Sequence, residues 1–104
     1  MPKENSKPGF SETTKTKSRR QEPPLFRVLM HNDHYTTMEF VVEVLSAVFQ
    51  MPEQEATLIM LDIHKKGQGL CGVFTYDIAM TKISQVHELA SENGFPLRCS
   101  CEPA

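Results

Sequence analysis

Side chains that could do chemistry concentrate in one short run, His31-Asn32-Asp33-His34-Tyr35-Thr36, which joins two imidazoles, an amide, a carboxylate, a phenol and a hydroxyl. His64 stands apart from it in sequence, as do the thiols Cys71, Cys99 and Cys101. His31, His34 and His64 could converge on a metal, but the three-residue spacing of the first two fixes no ligand geometry in a turn, and no second carboxylate cluster accompanies it. Cys71 lies in an apolar stretch without the cationic neighbour that makes a thiol a nucleophile. Three cysteines, without the spacing of a disulfide framework or a four-ligand zinc site, read as structural thiols in a reducing compartment. There is no glycine-rich phosphate loop, no G-x-S-x-G elbow and no H-E-x-x-H pair, so the reading is of a protein that is not an enzyme and needs no cofactor.

Charge narrows the possible partners. The 104 residues carry a formal net charge of -2, unevenly spread. Residues 1–24 hold six basic side chains against three acidic ones, whereas residues 25–104 hold five against ten. An acidic domain lacks the basic surface that phosphate contacts require, which argues against nucleic acid. No apolar run approaches the roughly 18 to 20 residues of a membrane span, and the first residues lack the apolar block of a secretory signal, so a cytoplasmic protein is expected.

The elements that must position these side chains follow from periodicity and punctuation. Residues 1–24 are rich in Ser, Thr, Lys and Pro with Phe10 as their one aromatic, and read as a flexible extension. Residues 25–104 form one domain with a modest core. Leu25 to His31 reads as a strand after Pro23-Pro24. Thr36 and Glu39 have the offset of a capping box, with Thr36 as N-cap of a helix whose buried stripe is Phe40, Val41, Val44, Leu45, Val48 and Phe49. Pro52 suits the first position of a second helix that Lys65, Lys66 and Gly67 close. Its Ala56, Ile59, Met60 and Ile63 form one face, which Leu58 and Leu61 widen.

Leu70 to Phe74 predicts a buried strand, and Thr75 a cap for a third helix with Ile78, Ile83, Val86 and Leu89 or Ala90 inward. Pro96 to Glu102 predicts a last strand with Leu97, Cys99 and Cys101 on one face. The order β-α-α-β-α-β implies an α+β sandwich, three helices against a three-stranded, mostly antiparallel sheet.

Against that frame the junction Asn32-Asp33-His34-Tyr35-Thr36-Thr37-Met38-Glu39-Phe40-Val41 is similar to the N-D-D-Y-T-P-M-E-F-V signature of the ClpS family of Clp protease adaptors. Ala56-Thr57 with Met60-Leu61 and Ile63-His64 resembles its A-T-x-x-M-L-x-V-H, and Cys71-Gly72-Val73-Phe74-Thr75 its C-G-V-[FY]-T. Ala79 with Thr81-Lys82 resembles A-E-T-K, and Pro96-Leu97 with Cys99 the final P-L-x-C. The similarity runs in order over about residues 25–102, and several motifs in register are more specific than any one alone.

The resemblance implies an adaptor that binds proteins by bulky N-terminal residues (Phe, Leu, Tyr or Trp) and delivers them to a ClpA-type AAA+ unfoldase. An α-amino group is a cation with three donors, and Asn32 and His64 occupy family positions that supply acceptors, beside Asp33 and His34. Met38, Val41, Met60, Ile63 and Leu97 would line the apolar part, Met38 guarding against β-branched residues, and Thr36 would bond the peptide backbone. Val41, Met60 and Ile63 would equally serve as core, and Asn32, Thr36 and His64 as turn and cap residues in any fold.

Two departures stand out. His34 replaces the usual second aspartate, which implies weaker binding, weaker still as pH falls through about 6.5 where a histidine gains charge. Asp77, Thr81 and Lys82 match positions that dock the N-terminal domain of ClpA, but Met80 stands where an acidic residue is usual. An alternative is therefore a ClpA-binding regulator with a weakened pocket. A metal-dependent or thiol enzyme is the third reading.

Overall fold

The computed structural model describes residues 22–104, and the expected extension over 1–24 lies almost wholly outside them. Six elements follow in the expected order: β1 (Leu25–His31), α1 (Met38–Phe49), α2 (Glu53–Lys66), β2 (Gln68–Thr75), α3 (Tyr76–Glu92) and β3 (Arg98–Pro103). The sheet has the order β2-β1-β3 and is antiparallel throughout. β1 is central because it is the most apolar strand, with Val28 and Met30 fully buried against the helices.

Five of the six residues expected on the inner face of α1 are buried, and Phe49 is half-buried at its end against Phe74 (centroids 6.2 Å apart). α2 lies on β2 through Gly69, where a Cβ would come within 2.7 Å of Ile63 Cγ1. The absence of a side chain there lets Ile63 reach the sheet. α3 packs its Ala79, Ile83, Val86 and Ala90 inward. The domain is thus the two-layer α+β arrangement expected, with the helices on one face of the sheet and no helix or strand on the other among the described residues.

Several boundaries differ from expectation for physical reasons. The N-cap of α1 is Thr37, not Thr36: Thr37 Oγ1 accepts the amide of Phe40 at 3.1 Å, while Thr36 is still engaged in the preceding turn. Glu39 is therefore one position too early for a capping box. Pro52 is the N-cap of α2 with extended ψ, so the helix begins at Glu53. Ile78 is 48 % exposed, and the smaller Ala79 takes the core position. Thr75 caps α3 in position but makes no side-chain cap bond. β2 outruns the expected Leu70–Phe74 because Gln68 and Thr75 still pair with His31 and Leu25. Pro96 and Leu97 precede β3, whose pairing starts at Arg98 opposite His31.

Candidate functional site

β1 ends beside the C-terminal end of α2, and one backbone contact ties them together. The amide of Asn32 donates to the carbonyl of Gly67 at 2.9 Å, and the amide of Gly67 to Ile63 at 3.0 Å. Gly67 adopts φ +92°, a left-handed conformation that closes the helix and that a Cβ would strain. Asn32 is thereby held next to the last turn of α2, which carries His64.

The connection from Asn32 to Met38 is organised by one carboxylate. Asp33 Oδ1 accepts the amides of Tyr35 (2.8 Å) and Thr36 (2.7 Å), and Oδ2 accepts the hydroxyl of Thr36 at 2.7 Å. Desolvation pushes the Asp33 carboxyl up, but the bonds from Thr36 and Tyr35 and the nearby His34 together outweigh it. The net value lies below the usual carboxylate range, and Asp33 is ionised at neutral pH.

Around this turn opens a cavity of about 660 Å³, within the range of about 300 to 1,000 Å³ of small-ligand sites. Asn32, Asp33, His34, Thr36 and His64 give it polar walls, while Met38, Val41, Met60 and Ile63 give it an apolar side. Val41 and Ile63 are 6 % and 3 % exposed, so they belong to the core as well as to the cavity floor. Met38, at the start of α1, is 46 % exposed, while Met60 from α2 is half-buried. Nine of the ten residues expected at a binding pocket therefore share one depression. Leu97 does not: it is 3 % exposed within the core and forms none of the wall.

Sequence reasoning passed over Tyr35, Thr37 and Glu39, which also line the cavity. Tyr35 is 78 % exposed, and an exposed aromatic in a polar turn was the available signal. A rim of this composition, with carboxylate and imidazole acceptors over an apolar floor, suits a ligand that carries a cation next to a bulky apolar group.

The remaining candidates lie elsewhere. His31 Nε2 bonds Ser100 Oγ at 2.6 Å on the open face of the sheet, outside the cavity. Among the described residues no three His, Cys, Asp or Glu side chains converge as a metal-binding group. A hydrogen bond with Cys99, reinforced by burial, pushes the Cys71 thiol far above its ordinary value, which removes it as a nucleophile at neutral pH.

At the start of α3, Asp77, Thr81 and Lys82 line a small depression of about 220 Å³ with Ile78 and Gln85, whereas Met80 lies outside it, 40 % exposed. Thr81 Oγ1 donates to the carbonyl of Asp77 at 3.0 Å. Lys82 is committed within the domain: Nζ donates to the carbonyl of Val48 at 2.9 Å and stands 5.8 Å and 5.4 Å from the ring centroids of Phe49 and Phe74.

The architecture and cavity define a small α+β domain with a preformed surface site. A family profile described as ATP-dependent Clp protease adaptor protein ClpS matches residues 21–100. The Clp protease adapter ClpS of Syntrophus aciditrophicus is 62 % identical over 81 residues, which span 78 % of this chain and 76 % of the relative. That of Desulforapulum autotrophicum is 48 % identical over 99 residues, 93 % and 95 % of the two chains. Among solved structures, Agrobacterium tumefaciens ClpS2 bound to L-phenylalaninamide superposes with a TM-score of 0.77 at 41 % identity, over 80 % of this chain and 100 % of that one. The chain belongs to the ClpS family of Clp protease adaptors.

Proposed function

We propose that the cavity at the β1–α1 junction takes the protonated amino terminus and bulky first side chain of another protein, and that the domain delivers that protein to a ClpA-type unfoldase. The observation that carries the reading is the union of Asn32 and His64 with Met38, Val41, Met60 and Ile63 in one depression. An ammonium needs acceptors, and each charge-assisted bond contributes about 1.5 to 3 kcal/mol. Burying a Phe or Leu side chain contributes about as much. L-phenylalaninamide, which the Agrobacterium relative binds, combines the same two features, a free α-amine and a benzyl group.

The protein acts as a non-catalytic adaptor in the cytoplasm, and among the described residues no helix is long and apolar enough to cross a membrane. Delivery uses the start of α3, where Asp77, Thr81 and Lys82 sit together with Met80 beside them. The contacts of Lys82 with Val48, Phe49 and Phe74 make its role there partly indirect, since it fixes the pose of α3.

A second reading, a regulator of the unfoldase with a weakened pocket, is favoured by His34 in the cavity wall and by the apolar Met80. One titration separates the two. A peptide beginning with free phenylalanine binds and its acetylated form does not if the protein is a substrate adaptor; equal, negligible binding of both supports the regulator.

A further inference from the structure

We infer that the outer edge of β3 is a pairing surface for a second copy of this chain, and that His87 keeps it closed in the monomer. The register fixes which backbone groups face outward. Ala104 donates its amide to the Leu25 carbonyl at 3.0 Å, so these two residues form a hydrogen-bonded pair of the β1–β3 ladder. Along an antiparallel ladder such pairs alternate with non-bonded ones. Leu29 with Ser100, Arg27 with Glu102 and His31 with Arg98 are therefore the bonded pairs, and Cys99, Cys101 and Pro103 turn their backbone groups away from β1. Pro103, which has no N–H to give to β1, agrees with that alternation. Beyond β3 the sheet has no further strand among the described residues.

Of the two outward amides one is occupied. Cys99 N–H donates to Nε2 of His87, which α3 carries across the edge, at 3.0 Å. The Cys101 amide and the carbonyls of Cys99 and Cys101 have no protein partner among the described residues. A strand edge with free donors and acceptors is a template for another strand unless something blocks it.

The choice of a second copy as occupant comes from charge, because β3 is complementary to itself. Two copies laid antiparallel about Ser100 put Cys99 opposite Cys101 of the second copy, each with its backbone groups directed at the seam. The same register sets Arg98 opposite Glu102 of the second copy, and the two-fold axis repeats the pair. Arg98, Ser100 and Glu102 are all exposed. Glu102 Oε2 already meets Arg27 at 3.1 Å within the chain, which leaves Oε1 for Arg98 of the second copy. Half of the hydrogen bonds across this seam need the Cys99 amide, whose proton His87 holds. No residue of β3 lines the cavity or the depression at the start of α3, so the inference stands apart from the proposed function.

Sedimentation equilibrium of the full chain tests it. The parent is expected to remain a single chain. His87→Ala and His87→Leu, the second filling the space without offering an acceptor, are expected to dimerise at concentrations at least about ten-fold below any dimerisation of the parent, the effect of two recovered hydrogen bonds. His87→Gln, whose amide oxygen can still accept the Cys99 proton, behaves as the parent. Arg98→Glu added to either dimerising variant sets like charges opposite one another and returns the single chain. Thermal unfolding confirms that each variant is folded. The inference is overturned if both folded His87 variants stay monomeric, or if their association ignores Arg98→Glu and continues past two chains. A parent that is itself a dimer overturns the role of His87.

Discussion

Lys82→Met is expected to destabilise the domain substantially, although the residue sits on a surface helix. The reason lies at the far end of α1, whose last turn contains no basic residue and whose final carbonyls need partners. Lys82 reaches across from α3 and donates to the Val48 carbonyl at 2.9 Å, with its ammonium within 6 Å of the Phe49 and Phe74 rings. A charge-assisted bond is worth about 1.5 to 3 kcal/mol and each exposed cation–π contact about 0.5 to 1 kcal/mol.

Lys82 is only half-buried, so solvent screening argues for the low end, about 2 kcal/mol in total. Methionine keeps the packing of the aliphatic stem and removes only the charge. For a domain of this size, about 2 kcal/mol corresponds to a fall in Tm of roughly 8 to 16 °C. Thermal unfolding followed by circular dichroism reads this directly. A fall of less than about 3 °C would refute the assignment and return Lys82 to the role of a free docking residue. The result also decides how loss of unfoldase binding in such a variant is interpreted, because a displaced α3 and a lost contact look alike in a pull-down.

Further expectations concern the bond between His87 on α3 and the Cys99 amide in β3, and the close of α2. The His87 ring is held below its ordinary value by desolvation and by Arg98, and its Nε2 accepts the Cys99 amide at 3.0 Å, a bond open only to the unprotonated nitrogen. The folded state thus binds this proton more weakly than the unfolded chain, so stability is lost as pH falls below the unfolded value of about 6.5 toward the depressed folded one. Urea unfolding at pH 7.5 and pH 5.0 should show that loss, and His87→Gln should reduce it; an unchanged difference in the variant contradicts the assignment. Gly67→Ala, at φ +92°, should lower stability by about 1 to 2 kcal/mol. It should also weaken peptide binding more than Gly94→Ala at φ +76°, because Gly67 holds the Asn32 amide and Gly94 touches nothing at the cavity. Equal affinities of the two glycine variants would contradict the coupling between helix close and site.

Much of the fold is legible in the sequence because its signals are periodic and agree with one another. The stripe Phe40, Val41, Val44, Leu45, Val48 marks α1, and Gly67 marks the end of α2, and each does in the structure what its residue type dictates. The start of α1 is harder. Thr36 and Thr37 are adjacent and chemically identical, and only the demand of the Asp33 carboxylate on Thr36 leaves the cap to Thr37.

Ile78 fails for a different reason. Ala79 stands four residues before Ile83 and shares its face, whereas Ile78 stands five before it and turns outward, so strict helical spacing outweighs the apolarity of Ile78. In the site, Asn32 and His64 lie thirty-two residues apart and come together through the Gly67 carbonyl, which no local pattern encodes. Leu97 is apolar and precedes an edge strand, so the sequence offers no means of telling a pocket wall from the core in which it is buried.

The most direct measurement removes one positive charge from the ligand. A phenylalanine-initiated peptide and its α-hydroxy analogue, identical except that the amine becomes a hydroxyl, are titrated into the parent protein and into the Asn32→Ala/His64→Ala double variant. Two charge-assisted bonds predict a preference for the amine of about 100-fold or more in the parent and a collapse to below about ten-fold in the variant. A preference that survives the double substitution intact, or that is absent from the parent, contradicts the account.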